Sequence, residues 1–412
     1  MISRSSKKHQ RNSKQEATSE AFIIFLIGMI QFVDILDFMM VMPLGPDFAK
    51  DLNFDISNMG YLSGIYAFAA GLSGLLFSNI LDKFDRKSLL LFSLTGLALS
   101  TTAGGFAHSE ESLLISRFLA GAFGGPATAA AFAVISDTIE PHRRGAAMGK
   151  VWSAFSVASV IGVPLGLEVA RLSSWRLPFY GVGAMAVVCL LLIYLKLPSL
   201  RKHIDENPDK VKVTYLSLLS KKKYLLSYLS VSLATMAAFM VIPYISPQLQ
   251  INLHLPRDQI SFQYFVGGIL SFFAMMPTGM IIDKYNATLT TAIGTLILSA
   301  TLIGGFAFTE FTNYLPIVVV FAPFMIGMSI RNVSSSTNFS KVATPHDRAG
   351  FMSLSSCFQH FFSAIGSMFA SCLIYETSSG SLANMEYIAI IAFILFVATI
   401  PLTYLIEKSV RS

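Results

Sequence analysis

Apolar runs of about twenty residues recur along this chain, each the length that crosses a bilayer as a helix. No aqueous core has room for so many. The runs are continuous rather than alternating, so the ten-residue in-and-out pattern of a membrane β-barrel is absent. Charged residues make up only 13% of the 412, about half the usual share of a soluble domain. The chain is therefore expected to be an all-α polytopic membrane protein.

Twelve spans are predicted, at 21–43, 57–80, 88–107, 112–137, 146–168, 176–197, 223–246, 259–282, 288–308, 314–341, 348–375 and 385–406. The first is too long for a signal-peptide core and contains Asp34 and Asp37, so it reads as a retained helix behind a disordered, basic tail, 1–20. The longest polar interruption, 198–222, divides the chain into six-helix bundles at 21–197 and 223–407, with a short tail at 408–412. Segments on the side of the N-terminus hold 24 of the 30 Lys and Arg, while the opposite side holds Lys50, Arg171, Arg176 and Arg257. That bias predicts cytoplasmic termini. It also accounts for the net charge of +6 as topology, so no nucleic-acid partner is expected.

The halves repeat. GGFA at 104–107 returns at 304–307, LDKF at 81–84 becomes IDKY at 282–285, and Pro141, His142 and Arg144 match Pro345, His346 and Arg348. Six helices per half gives both halves the same orientation, so they should be related by an axis along the membrane normal.

These features resemble the major facilitator superfamily, and within it the twelve-span drug:proton antiporters. The loop SNILDKFDRK at 78–87 matches the family pattern G-x-x-x-D-[RK]-x-G-R-[RK] at Asp82, Lys83, Arg86 and Lys87, with Ser78 and Asp85 replacing glycines. In the second half Gly279 and Asp283 match without the arginine pair. The resemblance implies a cytoplasmic latch through Asp82, Arg86 and Asp283. Arg117 and Gly121 in LLISRFLAGAFGG resemble the R-x-x-x-G pattern, and SVIGVPLG at 159–166 resembles the antiporter motif, with Val163 separating Gly162 from Pro164. The fold implied is the major facilitator fold, and the direction implied is export.

Ionisable residues inside the spans carry the chemistry. Asp34 and Asp37 are three apart and share one helix face near mid-membrane. Two carboxylates kept from water at that spacing titrate as a coupled pair, which suits a proton carrier or a site for a cationic substrate. An arginine in a span costs about 2.5–3.5 kcal/mol on insertion scales, so Arg117 should pair or face a cavity. Arg331, in the polar stretch SIRNVSSSTNFS, is expected as counter-charge to the aspartates, with Ser335 and Asn338 on its face and Asn332 beside it in the cavity. Gln359 and His360 lie at similar depth, and histidine is suited to relay protons. Met29, Met39, Met40 and Met42 suit either an adaptable pocket or core packing. Glu168, at the end of a span, reads as rim. Cys189, Cys357 and Cys372 lie in apolar runs at spacings that fit neither disulfides nor zinc.

No phosphate loop G-x-x-x-x-G-K-[ST] and no H-E-x-x-H occurs, so neither ATP-driven transport nor a metal or other cofactor is expected. The expectation is a monomeric, proton-coupled secondary transporter of a bacterial inner membrane, exporting a small organic molecule or drug by alternating access. Asp34, Asp37, Arg117 and His360 would couple protons, and Asp34, Asp37, Arg331, Asn332 and Gln359 would bind substrate. Two alternatives stand beside it: proton-linked uptake of a nutrient on the same fold, and an intramembrane aspartyl enzyme, which would need carboxylates from two helices.

Overall fold

A computed structural model describes residues 2–81, 83–140, 143–201, 204, 215–309, 316–344 and 347–411, with side chains described for all of these except 2–19, 77–81, 215–216, 340, 348–349 and 411. Twelve long helices follow one another among them. The first six are α1 (Ile2–Val41), α2 (Met59–Leu81), α3 (Arg86–Gly105), α4 (Glu110–Thr138), α5 (Arg144–Leu172) and α6 (Arg176–Lys196). The second six are α7 (Lys222–Asn252), α8 (Arg257–Lys284), α9 (Ala287–Ala307), α10 (Ile317–Val342), α11 (Arg348–Leu373) and α12 (Met385–Arg411). The apolar part of α1 is Glu20–Val41; residues 2–19, assigned to the tail by sequence, continue its helical backbone.

Eleven of these helices are long and apolar enough to cross a membrane. The exception is α11, which occupies the predicted span 348–375. It is 26 residues long, about 39 Å at 1.5 Å per residue. Its serines, Gln359 and His360 make it the least apolar of the set. A helix that polar is tolerated at membrane depth where it is covered by protein or lines water.

Helix starts follow local chemistry. Asp85 caps α3 by accepting the Lys87 amide at 3.0 Å, Ser109 and Ser112 form a capping box on α4, and Asn286 caps α9 through the Leu289 amide at 2.7 Å. Proline and glycine explain the interruptions. A π-turn at Ala158–Gly162 precedes Pro164 in α5, and α7 passes through a 3₁₀ turn at Ile242–Tyr244 and a π-turn at Gln248–Asn252 around Pro243 and Pro247. A third π-turn ends α9 at Leu302–Ala307.

Within the first half α2 and α3 pack on α4, α3 on α6 and α1 on α5; within the second, α8 and α9 pack on α10, and α11 and α12 on α7. The halves meet along two seams, α2 on α11 and α5 on α8. Glycine makes the first seam close: a Cβ on Gly60 would fall 2.0 Å from the Ser367 carbonyl oxygen, and one on Gly71 would fall 3.0 Å from His360 Cβ.

The polar ties described between halves lie toward the face opposite the termini. Tyr244 in α7 donates to the Ser57 carbonyl at 2.5 Å and accepts the Gly60 amide at 3.2 Å. Ser246 donates to the Pro43 carbonyl at 2.8 Å. Arg257 clamps Asp47 with Nε and Nη2, at 3.0 Å and 2.7 Å. On the face of the termini, the described ties hold each half to itself. Arg143 at the start of α5 pairs with Glu20 of α1 at 2.7 Å, and Asp347 at the start of α11 pairs with Lys221, just before α7, while accepting Tyr224 Oη at 2.8 Å. Asp85 accepts the Leu200 amide at 2.9 Å and Ser199 Oγ at 2.5 Å, joining α3 to the segment after α6.

Candidate functional site

The aspartates of α1 share a helix face but have different neighbours. Asp34 is half-buried and accepts two neutral donors, Thr128 Oγ1 of α4 at 2.8 Å and Tyr66 Oη of α2 at 3.2 Å. Gln31, one turn earlier, donates to the same Thr128 hydroxyl at 3.3 Å. Asp37 is fully buried and accepts Arg117 Nη1 at 3.0 Å and Thr101 Oγ1 at 2.8 Å. The Arg117 guanidinium lies 5.0 Å from the Phe179 ring centroid. Asp37 Oδ2 and Arg117 Nε and Nη2 are buried without a hydrogen-bond partner among the described residues. So Arg117 does not reach for the membrane surface; it neutralises one carboxylate and leaves the other to hydroxyl donors.

Small residues make this approach possible. A Cβ on Gly124 would lie 2.7 Å from both Asp34 Oδ1 and Tyr66 Oη, and one on Gly121 would lie 2.1 Å from the Tyr66 carbonyl oxygen. The GAFGG run of α4 therefore admits the two side chains that reach the site. Aromatic rings continue outward from it. Tyr66 stacks on Phe38 of α1 (centroids 4.9 Å, planes at 30°), and Phe38 stacks on Phe239 of α7 (5.6 Å, 30°).

Arg331 does not serve as the counter-charge expected for the aspartates. It is 3% exposed, donates to Thr295 Oγ1 and, at 2.9 Å, to Thr399 Oγ1, and lies 4.6 Å from the Phe396 centroid. These partners belong to α9 and α12, so its face of α10 turns into the second half. Asn338, expected to line water on that face, is buried with it, whereas Asn332 is exposed. A position along a helix sets height, but the packing of neighbours sets rotation, and here it turns Arg331 away from the aspartates.

Gln359 and His360 are partly buried on α11, with His360 against Gly71 at the seam between halves. Glu168 sits at the rim, paired with Arg171 at 2.5 Å. Met40 and Met42 are core residues, and Met29 and Met39 pack against that core. Of the latch residues, Asp82 lies outside the described residues, Arg86 is buried and bonds Asp137 at 2.9 Å, and Asp283 is exposed. Sequence reasoning missed Gln31, Thr101, Thr128 and Tyr66, whose residue types are common in membrane helices; the closely spaced glycines facing them were the available signal.

The sequence model of the Major Facilitator Superfamily matches residues 27–367 and 227–411. The purine ribonucleoside efflux pump NepI of Shigella sonnei is 25% identical over 283 residues, 67% of this chain and 69% of that protein. The uncharacterized MFS-type transporter YceJ of Bacillus subtilis is 24% identical over 277 residues, 67% of this chain and 71% of that protein. Among solved structures, a D-xylose-proton symporter superposes with a TM-score of 0.73 at 15% identity, over 94% of this chain and 97% of that one.

Proposed function

The chain belongs to the Major Facilitator Superfamily, and from that premise we propose that it is a proton-coupled secondary transporter exporting a small organic molecule by alternating access. Membership in a transporter family sets aside the aspartyl-enzyme reading. The observation that carries the proposal is the inequality of the two aspartates. Asp37 cannot take a proton without giving up its ion pair with Arg117, whereas Asp34 has only hydroxyl partners and is only partly buried. Asp34 is therefore the group that exchanges a proton for substrate, and Asp37 with Arg117 and Thr101 is the fixed charge that holds α1 to α3 and α4. A carboxylate that binds either a proton or the substrate, but not both, couples their opposite movements. One charge crossing 100 mV supplies about 2.3 kcal/mol.

The orientation of the polar ties supports a resting state open toward the termini, which the distribution of Lys and Arg assigns to the cytoplasm of a bacterial cell. Loading from that side, with the opposite face closed by Tyr244, Ser246 and Arg257, is compatible with export, and the relative described as an efflux pump supports that direction. On this reading Asn332, Gln359 and His360 face the pathway from the second half. The latch of Asp82, Arg86 and Asp283 engages when the cytoplasmic face closes, and the protein works as a monomer.

The test is substrate-induced proton movement in proteoliposomes, screened over organic cations, drugs and polar metabolites. Native protein should move protons on addition of a transported compound, and Asp34→Asn, which fixes the site in its neutral form, should bind that compound weakly and move no protons. Native proton flux in Asp34→Asn would falsify the assignment.

A further inference from the structure

Taking the transporter reading as given, we propose that the Tyr66–Phe38–Phe239 ladder selects the substrate: when the halves part, a flat heteroaromatic ring bearing an N–H donor replaces Phe239 against Phe38 and places that N–H on Asp34.

The ladder crosses the boundary between halves. Tyr66 and Phe38 belong to the first half and Phe239 to the second, and Ser367 of α11 holds the Phe239 carbonyl at 3.1 Å, so Phe239 moves with its own bundle. Cargo loaded from the open face must part α1 from α7 to take the place of Phe239, and that parting bares one face of Phe38. Phe38 itself follows Asp34 by one helical turn of α1, about 6 Å along the axis. The other face stays covered by Tyr66, whose hydroxyl bond to Asp34 fixes the ring and ties the carboxylate to the edge of the ladder.

A bared ring one helical turn from an acceptor carboxylate defines a ligand by two features. The face favours a flat π-system, because stacked rings gain beyond their buried area and a tetrahedral or aliphatic group cannot enter the same gap. The carboxylate favours a donor on the ring edge, since its present donors are hydroxyls that can rotate away. The other described ring contact between halves, Phe68 with Phe361, is edge-on at 70° and offers no parallel slot. In the closed arrangement Phe239 is thus a built-in occupant of the substrate's place.

Two probes separate shape from charge: ethidium, a flat cation with aryl N–H groups, and tetraphenylphosphonium, a non-planar cation without N–H. Equilibrium dialysis against the purified full-length protein in detergent reads both. Phe38→Leu should weaken ethidium about tenfold, Phe38→Tyr should retain it within about twofold, and tetraphenylphosphonium should respond to neither. Phe239→Leu should tighten ethidium, because the competing ring is gone. A role in packing alone predicts the reverse, with both leucine variants weakening both probes alike, and that result overturns the proposal. So does a failure of ethidium to bind native protein. Should Phe38→Leu not fold, Phe239→Leu alone decides the matter by the sign of its effect. Ring-selective binding together with native proton flux in Asp34→Asn would refute the coupling role while leaving the ladder as the selecting element.

Discussion

Arg117 and Asp37 form an ion pair with both side chains at 1% exposure or less, and its value lies in what its loss would leave behind. Replacing a buried pair with well-packed apolar groups is often neutral, whereas removing one member strands the other charge at a cost of about 3–5 kcal/mol. Arg117→Ala should therefore lower the thermal unfolding midpoint by several degrees in a detergent-stability assay. Adding Asp37→Asn to Arg117→Gln should recover most of that loss; a double variant no more stable than Arg117→Ala would mean the guanidinium matters for its contact with Phe179 instead. Both aspartates were legible in the sequence, because a carboxylate is costly in an apolar run and two of them three residues apart mark one helix face for chemistry. The difference between their surroundings was not, since it depends on Thr101, Thr128 and Tyr66, hydroxyls whose helix rotation no spacing reveals. Phe38 and Phe239 were hidden for a similar reason: in an apolar run an aromatic ring that meets substrate and one that fills a core are the same letter.

At the scale of helices, eleven spans and their order followed from hydropathy, while the helix at the remaining predicted span, α11, is too polar to be read that way. The sequence places α11 at 348–375, yet its serines, Gln359 and His360 make sense only when its position is known, on the seam with α2. That seam predicts a conformational phenotype. Gly60→Val would drive carbon into the Ser367 carbonyl, so the closed face should open. Spin labels at Lys50→Cys and His254→Cys, on opposite halves of that face, should report longer distances than in the native background; an unchanged distribution would mean the helices slide to absorb the side chain. The tie between α3 and the segment after α6 has a pH dependence. Burial works against ionisation of Asp85, but the bonds from Ser199, the Leu200 amide and the Lys87 amide outweigh it and hold the carboxyl below its ordinary range. Such a group stabilises the fold above its unfolded pKa of about 3.9 and loses that contribution as pH falls through the folded value. Hydrogen-exchange protection of the Leu200 amide should fall on acidification below about pH 4, and at higher pH in Ser199→Ala than in native protein. Protection indifferent to both changes would remove Asp85 from the tie.

For the whole molecule, the balance between its two open faces is set by few polar contacts, and the Arg257 clamp on Asp47 is the clearest of them. Part-exposed ion pairs contribute up to about 1 kcal/mol, so Arg257→Ala should shift the population toward the opposite opening by about fivefold, read with the same pair of labels. Exchanging the residues as Asp47→Arg with Arg257→Asp should bring it back. The repeat in the sequence suggests a division into halves but says nothing about which face closes, because that is a difference of small free energies between two packings of one sequence. The ties on the face of the termini bear on which helices can pair. Arg143 and Asp347 occupy matching places in the repeat, at the starts of α5 and α11, and carry opposite signs, as do their partners Glu20 and Lys221. An α7 docked on α5 would set lysine against arginine, and α11 docked on α1 would set aspartate against glutamate. The charge reversal makes each tie fit the helix of its own half and repel the equivalent helix of the other.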